Sequence, residues 1–460
     1  MFSQSIVSAA TSTRTSRYCA AQFGSIENAL PALGRSWRAG RGAAQSFNAS
    51  SCILVRSKVA IRAQYDAMKC SSKILAFFVL AVVVQSAMVI IVQAQTPFYQ
   101  ANPDELDGPP GTLIRQEKMS GAPLDATAYR VLYRSTGLKD EPIVVSGVVV
   151  VPAEPAPPGG RPIIAWAHPT SGVVPHCAPS LAIFFFQQVQ GLREMIRRGY
   201  IVTATDYPGL GTAGPHPYLV GISEGRAVLD SVRAARKLVR GETQQRFAVW
   251  GHSQGGQAVL YAAIIAKSYA PELEMVGVAA AAPATDLGVL MRADIATAGG
   301  KNLLAMTLWS WDRVFNAPMR DVIFPDEVPT VDKLANVCLE GIFDIEPRKI
   351  VGKLLQKRFL RVEDPTSIEP WRALLAQNTV GPTPPAIPVF IAQGMMDDTV
   401  VPSVTLAYQK RLCANGNLVS LMHLPDVGHA AVALKSARDA VAWMSDRFAG
   451  QPAPSACEKP

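Results

Sequence analysis

The sequence predicts an α/β fold with a mostly parallel central sheet, flanking helices and an inserted helical cap. Strand and helix patterns alternate from residue 142 onward, which is typical of a parallel sheet. One strand pattern passes through a tight Gly- and Ser-containing turn directly into a helical pattern over residues 247–269. Between residues 286 and 384 the alternation stops, and helical patterns separated by Pro and Gly follow. We interpret this region as a cap inserted across the sheet; an extra layer without contact to substrate is the alternative.

The individual elements are predicted from apolar runs bounded by breaker residues. Strands are expected at residues 142–151, 161–167, 200–205, 247–250, 275–281, 388–392 and 418–424. Helices are expected at residues 223–240, 257–269 and 431–448, and within the cap at 303–315. The acidic residues of the cap are expected to lie on solvated faces.

The turn between the fourth of these strands and its helix is Gly251-His252-Ser253-Gln254-Gly255, which matches Gly-x-Ser-x-Gly. A side chain at either glycine would clash with backbone that such a tight turn brings close. Small residues also cluster in ordinary turns, so the motif alone is a weak signal. Because a strand precedes it and a helix follows it, we interpret it as the nucleophile elbow of an α/β-hydrolase fold, with Ser253 as the nucleophile.

A serine hydroxyl is a poor nucleophile until an imidazole takes its proton. In this fold an acid and then a histidine follow the serine along the chain. His423 falls within the last predicted strand, where it would be packed or half-exposed. His429 lies in the loop between that strand and the last helix, which is where the base belongs, so His429 is the predicted base.

Two neighbouring carboxylates, Asp397 and Asp398, follow the predicted strand 388–392. One of them would lie against the imidazole Nδ1, and the other would cap the turn or face solvent. The residues themselves leave the choice between the two open.

The predicted oxyanion hole has two backbone donors. The N–H of Gln254, directly after the nucleophile, is the first. The second would come from the turn that follows strand 161–167, and Thr170 is the expected donor because Pro169 has no N–H. The alternative is that this turn merely connects a strand to a helix.

The first 94 residues differ in charge from the rest of the chain. They contain ten of the 44 Lys and Arg residues but two of the 36 Asp and Glu residues, which leaves 34 of each sign in residues 95–460. The balanced body gives no reason to expect a nucleic-acid partner.

Residues 68–94 have the pattern of a secretory signal peptide: a basic start at Lys69 and Lys73, an apolar run over 74–92, and a small-residue cleavage site ending at Ala94. The apolar run is near the length of a membrane span, so an uncleaved anchor is the alternative. Residues 1–67 form an extension that is either an organellar transit peptide or untranslated sequence preceding a start at Met68. Residues 95–460 are the predicted α/β-hydrolase domain.

Four cysteines remain in the body, and an oxidising compartment favours disulfides. Four cysteines allow three pairings. We expect Cys177 to pair with Cys338 and Cys413 with Cys457, with reduced buried thiols as the alternative. None of them has a metal-site spacing with a histidine, so no metal is predicted.

From about residue 105 to Cys457 the chain resembles the secretory lipases of the α/β-hydrolase fold. That resemblance implies hydrolysis of acylglycerols and simpler carboxylic esters by a Ser-Asp-His triad, an acyl tunnel shaped by the cap, and paired cysteines that brace the cap and the C-terminus. The family's spacing places the triad acid three residues after Gly394, at Asp397. The segments that carry the resemblance are Ala167-His-Pro-Thr-Ser-Gly172, Cys177-Ala-Pro-Ser180, Asp206-Tyr-Pro-Gly-Leu-Gly-Thr212, Gly214-Pro-His-Pro-Tyr218, Gly251-His-Ser-Gln-Gly-Gly256, Gln393-Gly-x-x-Asp397 and Val427-Gly-His429.

The predicted function is that of a secreted or periplasmic serine lipase, which needs no cofactor. A short-chain carboxylesterase and another serine hydrolase, such as a peptidase, amidase or lactonase, are the alternatives on the same scaffold. A binding protein on an inherited hydrolase scaffold is a further alternative, although all three triad positions have candidates. The expected partner is a small-molecule or lipid ester, with transient contact with a lipid interface. The sequence contains no information on oligomeric state.

Overall fold

The computed structural model describes residues 97–339, 355 and 359–457. The predicted leader, residues 1–67 and 68–94 with the apolar run 74–92, therefore lies outside the described residues. Among the described helices, none has the length and apolar character that a membrane crossing requires.

Within the described residues the strands form one nine-stranded sheet with the order β1-β2-β3-β5-β4-β6-β7-β8-β9. The strands are β1 Leu113–Met119, β2 Ala126–Thr136, β3 Pro142–Pro152, β4 Arg161–Ala167, β5 Ile201–Thr205, β6 Thr243–His252, β7 Glu274–Ala281, β8 Val389–Gly394 and β9 Val419–Leu424.

The sheet is antiparallel at one side and parallel across the rest. β1, β2, β3 and β5 pair antiparallel in that order, whereas β5, β4, β6, β7, β8 and β9 pair parallel. Parallel strands place their carboxyl ends at one edge, so the loops after β4, β6, β8 and β9 converge there. The prediction of a mostly parallel α/β sheet is confirmed.

Helices connect the parallel strands and fill the region between β7 and β8. The described α-helices are α1 Phe185–Gln188, α2 Leu192–Arg197, α3 Gly221–Leu238, α4 Gln254–Tyr269, α5 Leu287–Asp294, α6 Ala298–Phe315, α7 Val328–Ala335, α8 Trp371–Asn378, α9 Pro402–Ala414 and α10 Val432–Phe448. Helix α3 packs against α4, and α10 packs against α2 and the strands β6, β7 and β8.

The strands β1 and β2 and the helices α1, α2 and α9 were not predicted, and of the described cap helices only α6 was predicted individually. β1 is an edge strand whose residues are intermediate to exposed throughout, and β2, which pairs with both β1 and β3, is only partly buried. Such strands lack the continuous apolar run that marks the central strands. Helix α9 buries only part of its length and therefore has a weak helical apolar pattern.

The region between β7 and β8 is helical where it is described, as expected for the cap. Its helices pack around tryptophans: the rings of Trp311 on α6 and Trp371 on α8 are stacked, with centroids 6.3 Å apart. The indole Nε1–H of Trp311 donates to the backbone oxygen of Tyr218, in the loop before α3, at 2.8 Å. The cap is thus joined to the sheet domain close to the elbow.

The structure pairs Cys177 with Cys338 and Cys413 with Cys457, which are the two disulfides expected from the sequence. The first joins the segment after β4 to the cap, beside a hydrogen bond from Leu339 N–H to the backbone oxygen of Ser171 at 2.7 Å. The second joins the end of α9 to the C-terminal segment.

Candidate active site

Ser253 lies at the turn between β6 and α4 in a strained backbone conformation. Its φ of 58° and ψ of −116° belong to a region that non-glycine residues rarely occupy. The turn is also tight: a Cβ on Gly251 would lie 2.1 Å from the backbone oxygen of Gly255, and one on Gly255 would lie 2.0 Å from that of Ala167. Both glycines are therefore required by close backbone approach, as the Gly-x-Ser-x-Gly spacing predicts.

Three side chains from distant parts of the chain form a hydrogen-bonded line at this edge of the sheet. The Oγ of Ser253 is 2.8 Å from Nε2 of His429, in the turn after β9. The Nδ1 of His429 is 2.8 Å from Oδ2 of Asp397, in the loop after β8. With the proton on Nδ1, the imidazole donates to the carboxylate and offers Nε2 as the acceptor for the serine hydroxyl.

Of the two adjacent aspartates, the structure places Asp397 against the imidazole. Its side chain is 4% exposed, and its other oxygen, Oδ1, accepts hydrogen bonds from the N–H groups of Thr399 at 3.0 Å and Val400 at 2.8 Å. Asp398 is exposed, and its nearest polar contact is the hydroxyl of Thr399 at 3.5 Å. Hydrogen bonds to both oxygens of Asp397 fix its orientation against the imidazole.

The two predicted oxyanion residues, Thr170 and Gln254, line the same small cavity as Ser253. Thr170 is held by a hydrogen bond between its hydroxyl and that of Tyr218 at 2.9 Å. Its turn packs directly on the disulfide, because a Cβ on Gly172 would lie 2.4 Å from the Cβ of Cys177.

The side chain of Gln254 is anchored beneath the cavity by two buried groups. Its Nε2 donates to Nε2 of His216 at 2.8 Å and to Oε1 of Glu224 at 2.8 Å. Both partners are fully buried. Burial lowers the pKa of His216 to about 3 and raises that of Glu224 to about 8. The cluster is therefore uncharged at neutral pH, which suits its low-dielectric surroundings. Neither His216 nor Glu224 was predicted as part of the site.

The other histidines occupy structural positions. His252 is buried, and its Nε2 lies 3.1 Å from the backbone oxygen of His429; burial, and then the nearby His429, lower its pKa to about 3. His168 is buried against the backbone oxygens of Pro169 and Asp206, and burial lowers its pKa to about 4. His423 is exposed on β9. His429 is thus the histidine that the structure brings to Ser253.

The cavity beside Ser253 has a volume of about 40 Å³. Apolar side chains of α5 and α6, among them Leu290, Met291 and Leu303, form much of its wall. Asp294, the last residue of α5, also lines it and is 7% exposed. The expectation that cap acids lie on solvated faces is wrong for this residue, because α6 folds back over the end of α5. Burial raises the pKa of Asp294 to about 7, and the nearby His429 opposes that rise.

Comparison with known proteins places this chain in a family. The secretory lipase family profile matches residues 186–456, more than half of the chain. The chain belongs to the secretory lipase family. Family membership assigns it to the lipases and related ester hydrolases, which act on lipid esters, and agrees with the resemblance seen in its motifs.

Among its curated relatives, a secreted triacylglycerol lipase of Malassezia globosa is 26% identical over 403 residues, covering 80% of this chain and 84% of that protein. A protein of Mycobacterium tuberculosis named a probable inactive lipase is also 26% identical, over 381 residues, covering 79% of this chain and 84% of that protein.

A solved structure with the same fold is that of Candida antarctica lipase A in its closed state. The two share 21% sequence identity, with a TM-score of 0.63, and the match covers 79% of this chain and 89% of that one. The α/β-hydrolase fold class predicted from the sequence is therefore confirmed.

Proposed function

We propose that this chain is a secreted serine lipase that hydrolyses the ester bonds of acylglycerols through an acyl-enzyme on Ser253. The observation that carries the proposal is the hydrogen-bonded line from Ser253 Oγ through His429 to Asp397 at a strained strand-to-helix turn. A serine, a base and an orienting acid within hydrogen-bond reach are the requirements for nucleophilic acyl transfer.

In the first step Ser253 Oγ attacks the ester carbonyl carbon, and His429 Nε2 takes the hydroxyl proton. The carbonyl oxygen becomes negatively charged, and the backbone N–H groups of Thr170 and Gln254 donate hydrogen bonds to it. The carbon–oxygen bond to the alcohol then breaks, and Nε2 returns its proton to the departing alcohol oxygen. The acyl group remains on Ser253.

In the second step a water molecule attacks the acyl carbon while His429 Nε2 takes a proton from it. Breakdown of the second tetrahedral intermediate releases the carboxylic acid and returns the proton to Ser253 Oγ. Asp397 stabilises the positive imidazolium in both steps, since its Oδ2 accepts from Nδ1 while two backbone N–H groups hold its other oxygen.

The substrate class follows from family membership and the cavity wall. Leu290, Met291 and Leu303 offer an apolar surface to a hydrocarbon chain next to the nucleophile. Secretion is supported by the pattern of residues 68–94 and by the relative in Malassezia globosa, which is named a secreted lipase.

A short-chain carboxylesterase is the second candidate, and the volume of the cavity favours it. About 40 Å³ is little space for a long acyl chain in this arrangement of the cap. The two candidates share every triad residue and differ in the chain length that the cavity admits.

The test is hydrolysis of 4-nitrophenyl esters of increasing acyl length by residues 95–460, with Ser253→Ala as the paired variant. A lipase should show rates that rise with chain length, and an esterase should show a short-chain optimum. In both cases the variant should lose roughly six orders of magnitude in kcat. A variant that keeps the wild-type rate, or a folded wild type that cleaves none of these esters, would refute the proposal.

A further inference from the structure

Asp294 is an acidic side chain in the wall of a mostly apolar substrate cavity. It lies at the carboxyl end of α5 and lines the same cavity as Ser253. Because the cavity also contains the nucleophile, Asp294 lies in the part of the site where the ester is cleaved. The triad mechanism described above assigns no role to this carboxyl.

The carboxyl of Asp294 accepts no hydrogen bond from any residue that the structure describes, although the residue is only 7% exposed. Its backbone, in contrast, is firmly held. Thr297 N–H donates to the Asp294 backbone oxygen at 3.1 Å, and Gly300 approaches so closely that a Cβ there would lie 2.4 Å from the Asp294 Cα. The acid is thus fixed at the cavity and has hydrogen-bonding capacity left for a ligand.

An ester that fills this small cavity displaces water from the carboxyl, because Asp294 forms part of the cavity wall. An unsubstituted alkyl chain would leave a buried carboxyl without a hydrogen-bond partner, which is unfavourable. A chain carrying a hydroxyl would supply that partner.

A hydroxyl suits Asp294 better than an ammonium group does. The hydroxyl can donate to the ionised carboxylate, and it can also accept from the protonated acid, so it is satisfied in both states. A cation at this position would face the positive charge that develops on the His429 imidazole during both steps of the reaction.

We propose that Asp294 is a specificity-determining residue that hydrogen-bonds a hydroxyl group on the part of the ester occupying the cavity, so that the enzyme prefers hydroxylated esters to unsubstituted ones. This inference rests on the proposed function, because it requires hydrolysis at Ser253.

The experiment compares kcat/KM for two matched sets of esters on wild type, Asp294→Leu and Asp294→Asn. The first set consists of methyl esters whose acyl chain is either unsubstituted or carries one hydroxyl group. That hydroxyl is next to the ester group, in the middle of the acyl chain or at the far end of the acyl chain. In the other set the hydroxyl is placed in the same way on the alcohol chain of an acetate ester. For at least one hydroxyl position, wild type should prefer the hydroxylated ester by about tenfold.

Asp294→Leu should abolish that preference and raise kcat/KM for the plain ester, because the unsatisfied carboxyl is gone. Asp294→Asn should keep part of the preference, since its amide can still donate and accept, and it provides the test if the leucine variant does not fold. Asp321→Leu, at an exposed aspartate of the cap, serves as the matched control and should leave the ratio unchanged.

Equal ratios of hydroxylated to plain esters in wild type and both Asp294 variants, at every position in both sets, would overturn the proposal. Its failure is separable from failure of the proposed function. Suppose the ratios are equal but wild type hydrolyses plain esters and Ser253→Ala does not. The role of Asp294 is then refuted, whereas the proposed triad is supported.

Discussion

Glu224 should make the protein less stable as the pH rises, and Glu224→Gln should remove that dependence. The carboxyl is fully buried in α3, where its Oε1 accepts from the Gln254 amide at 2.8 Å and from Leu219 N–H at 3.0 Å. The nearest histidine, His216, lies 3.9 Å away and is neutral because burial lowers its pKa to about 3. No described cation therefore offsets ionisation of Glu224.

The magnitude follows from the shift in pKa. Burial raises the pKa of Glu224 from 4.5 to about 8 in the folded protein. Below pH 4.5 Glu224 is protonated in both the folded and the unfolded protein, and above about pH 8 it is ionised in both. Between these values the unfolded state binds fewer protons, so the free energy of unfolding falls by about 1.4 kcal/mol for each pH unit, or up to about 5 kcal/mol in total.

Glutamine copies the protonated acid but cannot ionise. The difference in free energy of unfolding between Glu224→Gln and wild type should therefore be small at pH 4 and grow by up to about 5 kcal/mol by pH 9. Tyr207 and Tyr261 also face Glu224, but burial raises the pKa of both above this range, so they remain neutral in both proteins.

The assay is urea denaturation followed by tryptophan fluorescence at a series of pH values with disulfides intact. Glu242→Gln, at an exposed glutamate, is the matched control and should keep the pH dependence of wild type. Parallel curves for wild type and Glu224→Gln across pH 4 to 9 would show that the buried carboxyl does not titrate as argued.

Two further predictions concern the triad acid and the cap disulfide. In 4-nitrophenyl ester assays, Asp397→Asn should lower kcat by about four orders of magnitude, because the amide would favour the wrong tautomer of the His429 imidazole. Asp398→Asn, at the exposed neighbour, should keep a kcat near that of wild type. Equal losses in both variants would contradict the assignment of Asp397 as the triad acid. Replacing Cys177 and Cys338 together by serine should lower the free energy of unfolding by about 2–5 kcal/mol in urea denaturation, and an unchanged urea midpoint would rule out a stabilising role for that bridge.

The parts of the fold that could be predicted from the sequence are those where local pattern and burial coincide. β4 and β6 pass through the centre of the sheet, and their buried parts, residues 163–167 and 247–250, are continuous apolar runs. β2, next to the edge, mixes polar and apolar residues without regular alternation and was missed. Its place depends on pairing with β3, which is a property of the assembled sheet rather than of the segment.

In the candidate site, too, the residues that lie in a local sequence pattern were predicted, whereas those whose role depends on tertiary packing were not. Ser253 and His429 were predicted because each lies in a local pattern of strand, turn and helix. The residues around Asp397 did not distinguish it from Asp398, because only tertiary packing decides which carboxyl faces the imidazole. Asp294 was wrongly assigned to a solvated face. Its burial results from the close approach of α6 to α5 at Gly300, which the local sequence does not indicate.

The most direct test of the account is covalent labelling of the nucleophile with an alkyl fluorophosphonate, followed by peptide mass mapping. The account predicts one label per chain, on Ser253, with activity lost in proportion to labelling, and greatly slowed labelling in His429→Ala because the base is gone. Complete inactivation without modification of Ser253, or full modification of Ser253 with activity retained, would contradict it.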